Sequence, residues 1–487
     1  MPRRSVLCVA ATTVILALAG IGEAEDKGEF SLTAADPGSP DSTATWSGEF
    51  VLAVSADVVS GALATVPALP VSPLDAALPP CDASLCDVAK LDVALASGTW
   101  IEDGGMLIQI QWPLIDAGYD LDLFVYGPDG SLVAQSAVWA FSRTESVWIK
   151  NPANGIYTVV IEPSLVASQP IAPDVLTPLD YDAFVGFERA LTVTRQETNN
   201  GEPYTRSFVV PGLPPDAPPV TLLPDLVPTT PTNFHIESAW GAQYYLYGDR
   251  GLDHQPSCYP LETAGLTADD PTTADHPLKC LRWDQGEYNF GDGPFELHIY
   301  PDQGTGTDVY QRVYASDGSA AQYGPLGRVI FSQAHGHFHY LGWQEVDVYH
   351  LNDDGTLGAF VGTAADKGIC MVDIENARFG QVVETNSALG YPVPGSCDNP
   401  THSDPNDPTF PGARYFQMGI SVGYADLYPW FIADQAIDIT AVPDGRYAIV
   451  VHQDVSGLVH EKTIENDTAM GCVEIAGDQA TEIACAP

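Results

Sequence analysis

Three histidines at alternate positions, His335, His337 and His339 in Phe331-Ser-Gln-Ala-His-Gly-His-Phe-His-Tyr340, are the residues of this chain best suited to chemistry. On a strand, alternate side chains project from one face, so this spacing aims all three imidazoles the same way. Neutral imidazoles that converge suit copper or zinc, whereas calcium and magnesium prefer oxygen. A straight strand separates the first and third Cα atoms by about 13 Å, near the limit for sharing one ion. The spacing therefore predicts a bend or bulge at Gly336. Three imidazoles with an open position serve hydrolytic zinc and type 2 copper alike, so spacing does not choose the metal. No glutamate stands between the histidines as in His-Glu-x-x-His metalloproteases, and no Cys and Met accompany them as in blue-copper centres. A chance run on an exposed strand face is the bland alternative. Against it, all 11 histidines lie at or after His235, which assigns metal or acid-base chemistry to the C-terminal half.

The elements that must position these residues read as strands. Met106–Trp112 and Tyr119–Tyr126 alternate polar with apolar residues, and the turn Gly127-Pro-Asp-Gly130 follows the second. Ser146–Lys150 and Ile156–Ile161 flank a second turn, Asn151-Pro-Ala-Asn-Gly155, with no helical periodicity nearby. This pattern predicts a β-sandwich similar to the accessory jelly-roll or pre-peptidase-type domains of secreted bacterial enzymes. Asp120, Asp122 and Asp129 within it are candidate calcium ligands, or else solvated strand and turn positions. In the C-terminal half Phe295–Tyr300, Val346–Tyr349, Ala436–Thr440 and Tyr447–Val451 also read as strands. The fold class is mainly β. Eight prolines between Phe208 and Thr232 predict an extended, semi-rigid connector.

The 487-residue chain carries 64 acidic and 19 basic residues, a formal net charge of −45. That balance repels polyanions, which makes nucleic acid and anionic membrane surfaces poor partners; it either attracts cationic ligands such as amines or metal ions or simply gives an acidic, soluble extracellular surface. Arg3 and Arg4, the apolar run Ser5–Ala19, and the small residues Gly22 and Ala24 read as an export signal cleaved after Ala24. No later apolar segment is long enough to span a membrane. Of the 9 cysteines, Cys8 lies in that leader, and the even remainder favours disulfides in an exported chain. Nearest-neighbour pairing, with Cys81–Cys86 and Cys472–Cys485 the most local, is the simplest of roughly a hundred connectivities.

With these residues in view, the C-terminal half resembles the lysyl oxidases, copper amine oxidases that carry a quinone made from their own lysine and tyrosine. The resemblance runs from about Leu223 to Gly477. It rests on Leu223-Pro-Asp-Leu-Val-Pro228, Asn289-Phe-Gly-Asp-Gly-Pro294, His335-Gly-His-Phe-His339, Cys370-Met-Val-Asp373, Gly423-Tyr-Ala-Asp-Leu-Tyr428 and Gln435-Ala-Ile-Asp-Ile-Thr440, in this order along the chain, with the histidine motif the strongest. It implies that His335, His337 and His339 bind Cu2+ and that Tyr428 is oxidised and joined to Lys367 as lysine tyrosylquinone. Lys367 stands three residues before Cys370 where the family has four, and Tyr424 is a second tyrosine close by. Some members also hold a structural calcium; here Asp225, the Leu226 carbonyl, Glu461, Asn466 and Asp467 would supply Ca2+ ligands, with Thr463 where such a site carries an aspartate. Asp347 and Asp373 are candidates for a catalytic base.

These readings give a signal peptide at 1–24, an N-terminal β-sandwich region at 25–207, a Pro-rich linker at 208–222 and a lysyl oxidase-like copper domain at 223–487. The expected function is a secreted enzyme that oxidises primary amines, peptidyl lysine or small amines, with dioxygen, releasing aldehyde, ammonia and hydrogen peroxide. Lysine-containing extracellular proteins are the expected macromolecular partners. The competing expectation is an extracellular metal-binding adhesion or binding protein with no quinone. A metal-dependent hydrolase ranks last, for want of a general base.

Overall fold

The computed structural model describes residues 26–32, 43–50, 86–95, 104–112, 119–136, 143–165, 179–211, 218–238, 242–243, 255–256, 279–332, 337–364, 368–377, 391, 397, 399–430 and 436–485. The leader 1–24, Cys81, Cys258, His335, Gly336 and Lys367 lie outside the described residues. Every regular element among the described residues is a β-strand, so the chain is mainly β.

In the N-terminal half two sheets face one another. One orders its strands Asp26–Leu32, Asp87–Val93, Gly155–Leu165, Tyr119–Tyr126, Leu132–Ser136. The other brings Thr43–Phe50 and Gly104–Gln111 to either side of the long strand Leu179–Asn199, with Thr144–Lys150 beyond. Alternation decides what lies between them: Leu91, Leu121, Leu123 and Val159 from one sheet meet Ile108, Val147, Val185 and Phe187 from the other in one dry core. Full burial of each such side chain contributes about 1.5–3 kcal/mol. The turn after Tyr126 closes as its composition requires, because Gly130 adopts φ +79° and donates its N–H to the Gly127 carbonyl.

The long strand also ties the halves together. Beyond its sandwich portion it forms a hairpin with Glu202–Pro211, where the Pro-rich stretch begins, and then pairs with His402–Ser403, which in turn pairs with Arg414–Ile420. The Thr198 and Ser403 hydroxyls lie 2.5 Å apart, and the Tyr415 hydroxyl donates to Glu197 at 3.0 Å.

Three groups of strands build the C-terminal half. His337–Leu341, Ala320–Ser332, Asp308–Ala315, Phe295–Ile299 and Arg414–Ile420 are successive neighbours in one sheet. Lys279–Asn289 pairs with Leu226–Pro228 and with Tyr424–Tyr428 in a second. Gln344–Leu351, Gly445–Gln453 and Thr468–Ala476 form the middle of a third. Leu297, Val309, Tyr340, Trp343, Met371 and Met418 pack between the first two, and Val346, Val348, Ile449 and Val473 line the core behind the third.

The segment Asn289–Pro294 is a structural corner. The fully buried Asn289 side chain accepts the N–H groups of Asp225 and Gly291 and donates to the carbonyls of Gly293 and Ile420. A Cβ on Gly291 would lie 2.3 Å from the Leu223 carbonyl oxygen, so only glycine lets the two backbones approach. The corner fixes the entry of the C-terminal half against the strand that carries Glu287.

Disulfides join Cys370 to Cys397 and Cys472 to Cys485, both nearest-neighbour pairs; Cys86 and Cys280 are also disulfide-bonded.

Candidate functional site

His337 and His339 sit on a short strand that pairs antiparallel with Ala320–Ser332, His337 opposite Ser332 and His339 opposite Ile330. The alternation places both imidazoles on one face, with ring centroids 5.2 Å apart and planes tilted by 40°. His339 is buried and His337 is half-buried. The intervening Phe338 turns the other way and stacks on Phe416 at 5.2 Å, so core packing sets the orientation of the histidine face.

The chain returns to this strand immediately after Lys367. Gly368 has φ +67°, and a Cβ there would fall 2.6 Å from the Tyr340 carbonyl oxygen and 3.0 Å from the His339 Cβ. Ile369 exchanges backbone hydrogen bonds with Tyr340 at 2.8 and 3.1 Å. Next, the Cys370 carbonyl accepts the Tyr428 hydroxyl at 2.8 Å. Within three residues, therefore, one segment touches His339 at its start and holds the Tyr428 phenol at its end. The Cys370–Cys397 bridge fastens the segment, because the Cys397 carbonyl accepts the Phe338 N–H between the two histidines.

Tyr428 closes the strand Tyr424–Tyr428, whose register against Lys279–Asn289 sets Gln285 opposite Tyr428 and Glu287 opposite Asp426. The two tyrosines of this strand have different employments. Tyr424 is buried and its hydroxyl lies 2.7 Å from that of Ser146, a contact with the N-terminal sandwich. Tyr428 is half-buried and faces the Cys370 segment.

Two carboxylates that sequence reasoning passed over lie beside it. Glu287 and Asp426 are buried, directly opposite one another, and on the same face as Gln285 and Tyr428. Burial pushes Glu287 up to about 8, with the Trp343 indole pulling the other way. Asp426 is held well above the carboxylate range, first by burial and then by the Glu287 charge, with the nearby Val372 N–H and Tyr428 hydroxyl pulling the other way. Asp426 belongs to the motif Gly423–Tyr428, but its partner is set by cross-strand register, which single-strand patterning does not reveal.

A raised carboxyl pKa has a defined sign. The folded state keeps the Glu287 proton through a window in which the unfolded chain has lost it, so stability falls as pH rises from about 4.5 towards about 8. Below that window Glu287 costs nothing. Glu287→Gln should therefore stabilise the protein by on the order of 2–4 kcal/mol at the alkaline end and by little at pH 4, measured as the change in denaturation midpoint at each pH.

The earlier candidates for a base are employed elsewhere. Asp373 accepts the N–H and hydroxyl of Ser421 and the N–H of Tyr391, a structural corner. Asp347 is held by the Thr363 and Tyr349 hydroxyls on the third sheet.

The calcium candidates gather around the chain entry. Asn466 donates to Asp225 at 3.1 Å, and the Leu226 N–H donates to Glu461 at 3.2 Å. Burial, then the charges of Asp467, Asp454 and Asp225, push Glu461 up to about 8. Buried Glu461 Oε1, Asn466 Oδ1 and Asp467 Oδ1 have no hydrogen-bond partner. Among the described residues, however, no three His, Cys, Asp or Glu side chains converge as a metal-binding group. In the sandwich, Asp122 stands opposite Glu162 on the neighbouring strand, while Asp129 caps its own turn through the Ser131 N–H and hydroxyl. The Asp120 side chain lies outside the described residues.

Residues 396–485 match the family model described as Lysyl oxidase. Over this span the C-terminal region is similar to the lysyl oxidases. The matched span holds Cys397, Asp426, Tyr428 and the acidic cluster at Glu461–Asp467, and leaves the histidine strand and Lys367 outside it. No curated protein matches the chain. Among the described residues no helix is long and apolar enough to cross a membrane.

The Cys370–Cys397 bridge, which reaches Cys397 in the matched span from outside it, closes a 27-residue separation, for which loop-closure entropy alone gives about 3–4 kcal/mol. Cys370→Ser with Cys397→Ser should lower stability by about that amount and loosen the histidine strand from Tyr428 together, read as a drop in denaturation midpoint.

Proposed function

We propose that this chain is an exported copper-dependent amine oxidase that converts primary amines, peptidyl lysine or small amines, to aldehydes through a lysine tyrosylquinone built from Lys367 and Tyr428. The observation that carries this reading is the segment beginning at Gly368. It abuts His339 at one end and accepts the Tyr428 hydroxyl at the other, and Lys367 is the residue that precedes it in the sequence. The donor chemistry fits: neutral imidazoles on one strand face suit Cu2+. His335, His337 and His339 would hold the copper. When bound, copper and the quinone supply the redox chemistry with dioxygen and the carbonyl that captures an amine.

The rest falls to the polypeptide. The Cys370 carbonyl orients the phenol, the Cys370–Cys397 bridge fixes its distance from the histidine strand, and Gly368 permits the close approach. Asp225, Leu226, Glu461, Asn466 and Asp467 form the proposed Ca2+ site, where the unpartnered oxygens of Glu461, Asn466 and Asp467 would gain a cation. The layout is a leader at 1–24, a sandwich at 25–207, a linker at 208–222 and a copper domain at 223–487. A net charge of −45 would gather cationic substrates, so kcat/KM should fall several-fold between low and high salt.

The test is aerobic maturation with copper followed by assay of aldehyde and hydrogen peroxide against a panel of primary amines. Equal yields of both products, abolished by a carbonyl reagent, are expected. Stoichiometric copper with no amine oxidation would replace this reading with that of a metal-binding adhesion protein.

A further inference from the structure

On the reading of Tyr428 as the cofactor residue, we propose that Asp426 is the base that takes the substrate proton, and that Glu287, sharing one proton with it, is the positioning residue that sets when Asp426 is ionised. Three geometric facts support the assignment. Glu287 and Asp426 are directly opposed across the antiparallel pair and are 0% and 1% exposed. Glu287 Oε1 and Asp426 Oδ2 have no hydrogen-bond partner, which is costly for two buried anions and is relieved by a proton between them. Asp426 also stands two residues before Tyr428 on the same strand, so its carboxylate shares a face with the phenol where the chemistry would occur.

The surroundings suit a proton held in reserve. Gln453 donates to Glu287 at 3.3 Å and the Trp343 indole faces it. From the Cys370 segment, the Val372 N–H lies near Asp426, and Asp373 adds negative charge. No cation is among these groups, so ionising both carboxyls would leave two uncompensated charges in a dry site. In the reaction the substrate C–H bond breaks, its proton passes to Asp426, and its electron pair leaves towards the tyrosine-derived ring, which dioxygen later reoxidises. The proton returns to solvent from the pair.

Two measurements test this. In the copper-free chain at neutral pH, infrared spectroscopy should show a protonated-carboxyl stretch that Glu287→Gln or Asp426→Asn alters and Asp373→Asn does not. A wild-type spectrum without the band, or a band indifferent to both variants, would overturn the shared proton. In the copper-matured protein, Asp426→Asn should lower kcat by about 100-fold or more with copper content unchanged. Glu287→Gln removes the like charge, so the ascending limb of kcat/KM against pH should move to lower pH by about one unit or more. An unmoved limb would show that Glu287 is merely structural, and full activity in Asp426→Asn would dismiss it as the base. If the wild-type protein oxidises no amine, the proposed function fails, while the infrared result still decides the pair.

Discussion

Tyr428→Phe should yield a protein that folds and binds copper but oxidises no amine above background. Phenylalanine keeps the ring and loses only the oxygen, so the reaction loses the atom from which a quinone would be made. The structural cost is one hydrogen bond to the Cys370 carbonyl, about 1 kcal/mol. Tyr424→Phe is the matched control. Its hydroxyl bonds to Ser146 across the boundary with the sandwich, so stability should drop by a similar amount while cofactor formation survives. Parallel assays of peroxide release and denaturation midpoint separate the two tyrosines. Equal loss of activity in both would contradict the distinction drawn between them.

His339→Ala should lower copper affinity by more than about 100-fold, since changes one shell further out already cost roughly 10–100-fold. His339 is buried against the Gly368 turn, so the cavity left behind should also lower stability by about 1–3 kcal/mol. His337, half-buried, should lose copper on substitution with less structural penalty. Equilibrium dialysis against a copper buffer reads the first effect and thermal unfolding the second. Unchanged copper binding in His339→Ala would remove this strand from the metal site.

Much of this architecture is legible in the sequence because sandwich strands follow a period of two. Tyr119–Tyr126 has the same bounds in sequence and structure, and Phe295–Tyr300 differs by one residue. His337 and His339 share a face for the same local reason. What is not legible depends on register and on contacts between distant segments. The strand expected at Ala436–Thr440 shortens to Ile437–Asp438, which pairs with Leu281 and Cys280. The pairing of Glu287 with Asp426 requires knowing which residue of one strand faces which residue of another 139 positions away. Asp373 drew attention as a carboxylate in a motif, yet its oxygens are taken by Ser421 and Tyr391, a fact of tertiary packing alone. The union of the two halves through Leu179–Asn199 is likewise a property of the folded chain.

The most direct test of the central claim is peptide mass mapping of copper-loaded, aerobically matured protein. A single cross-linked species containing both the Lys367 and the Tyr428 peptides is the expected result. Recovery of both peptides separate and unmodified, from protein that has bound copper in full, would contradict the account.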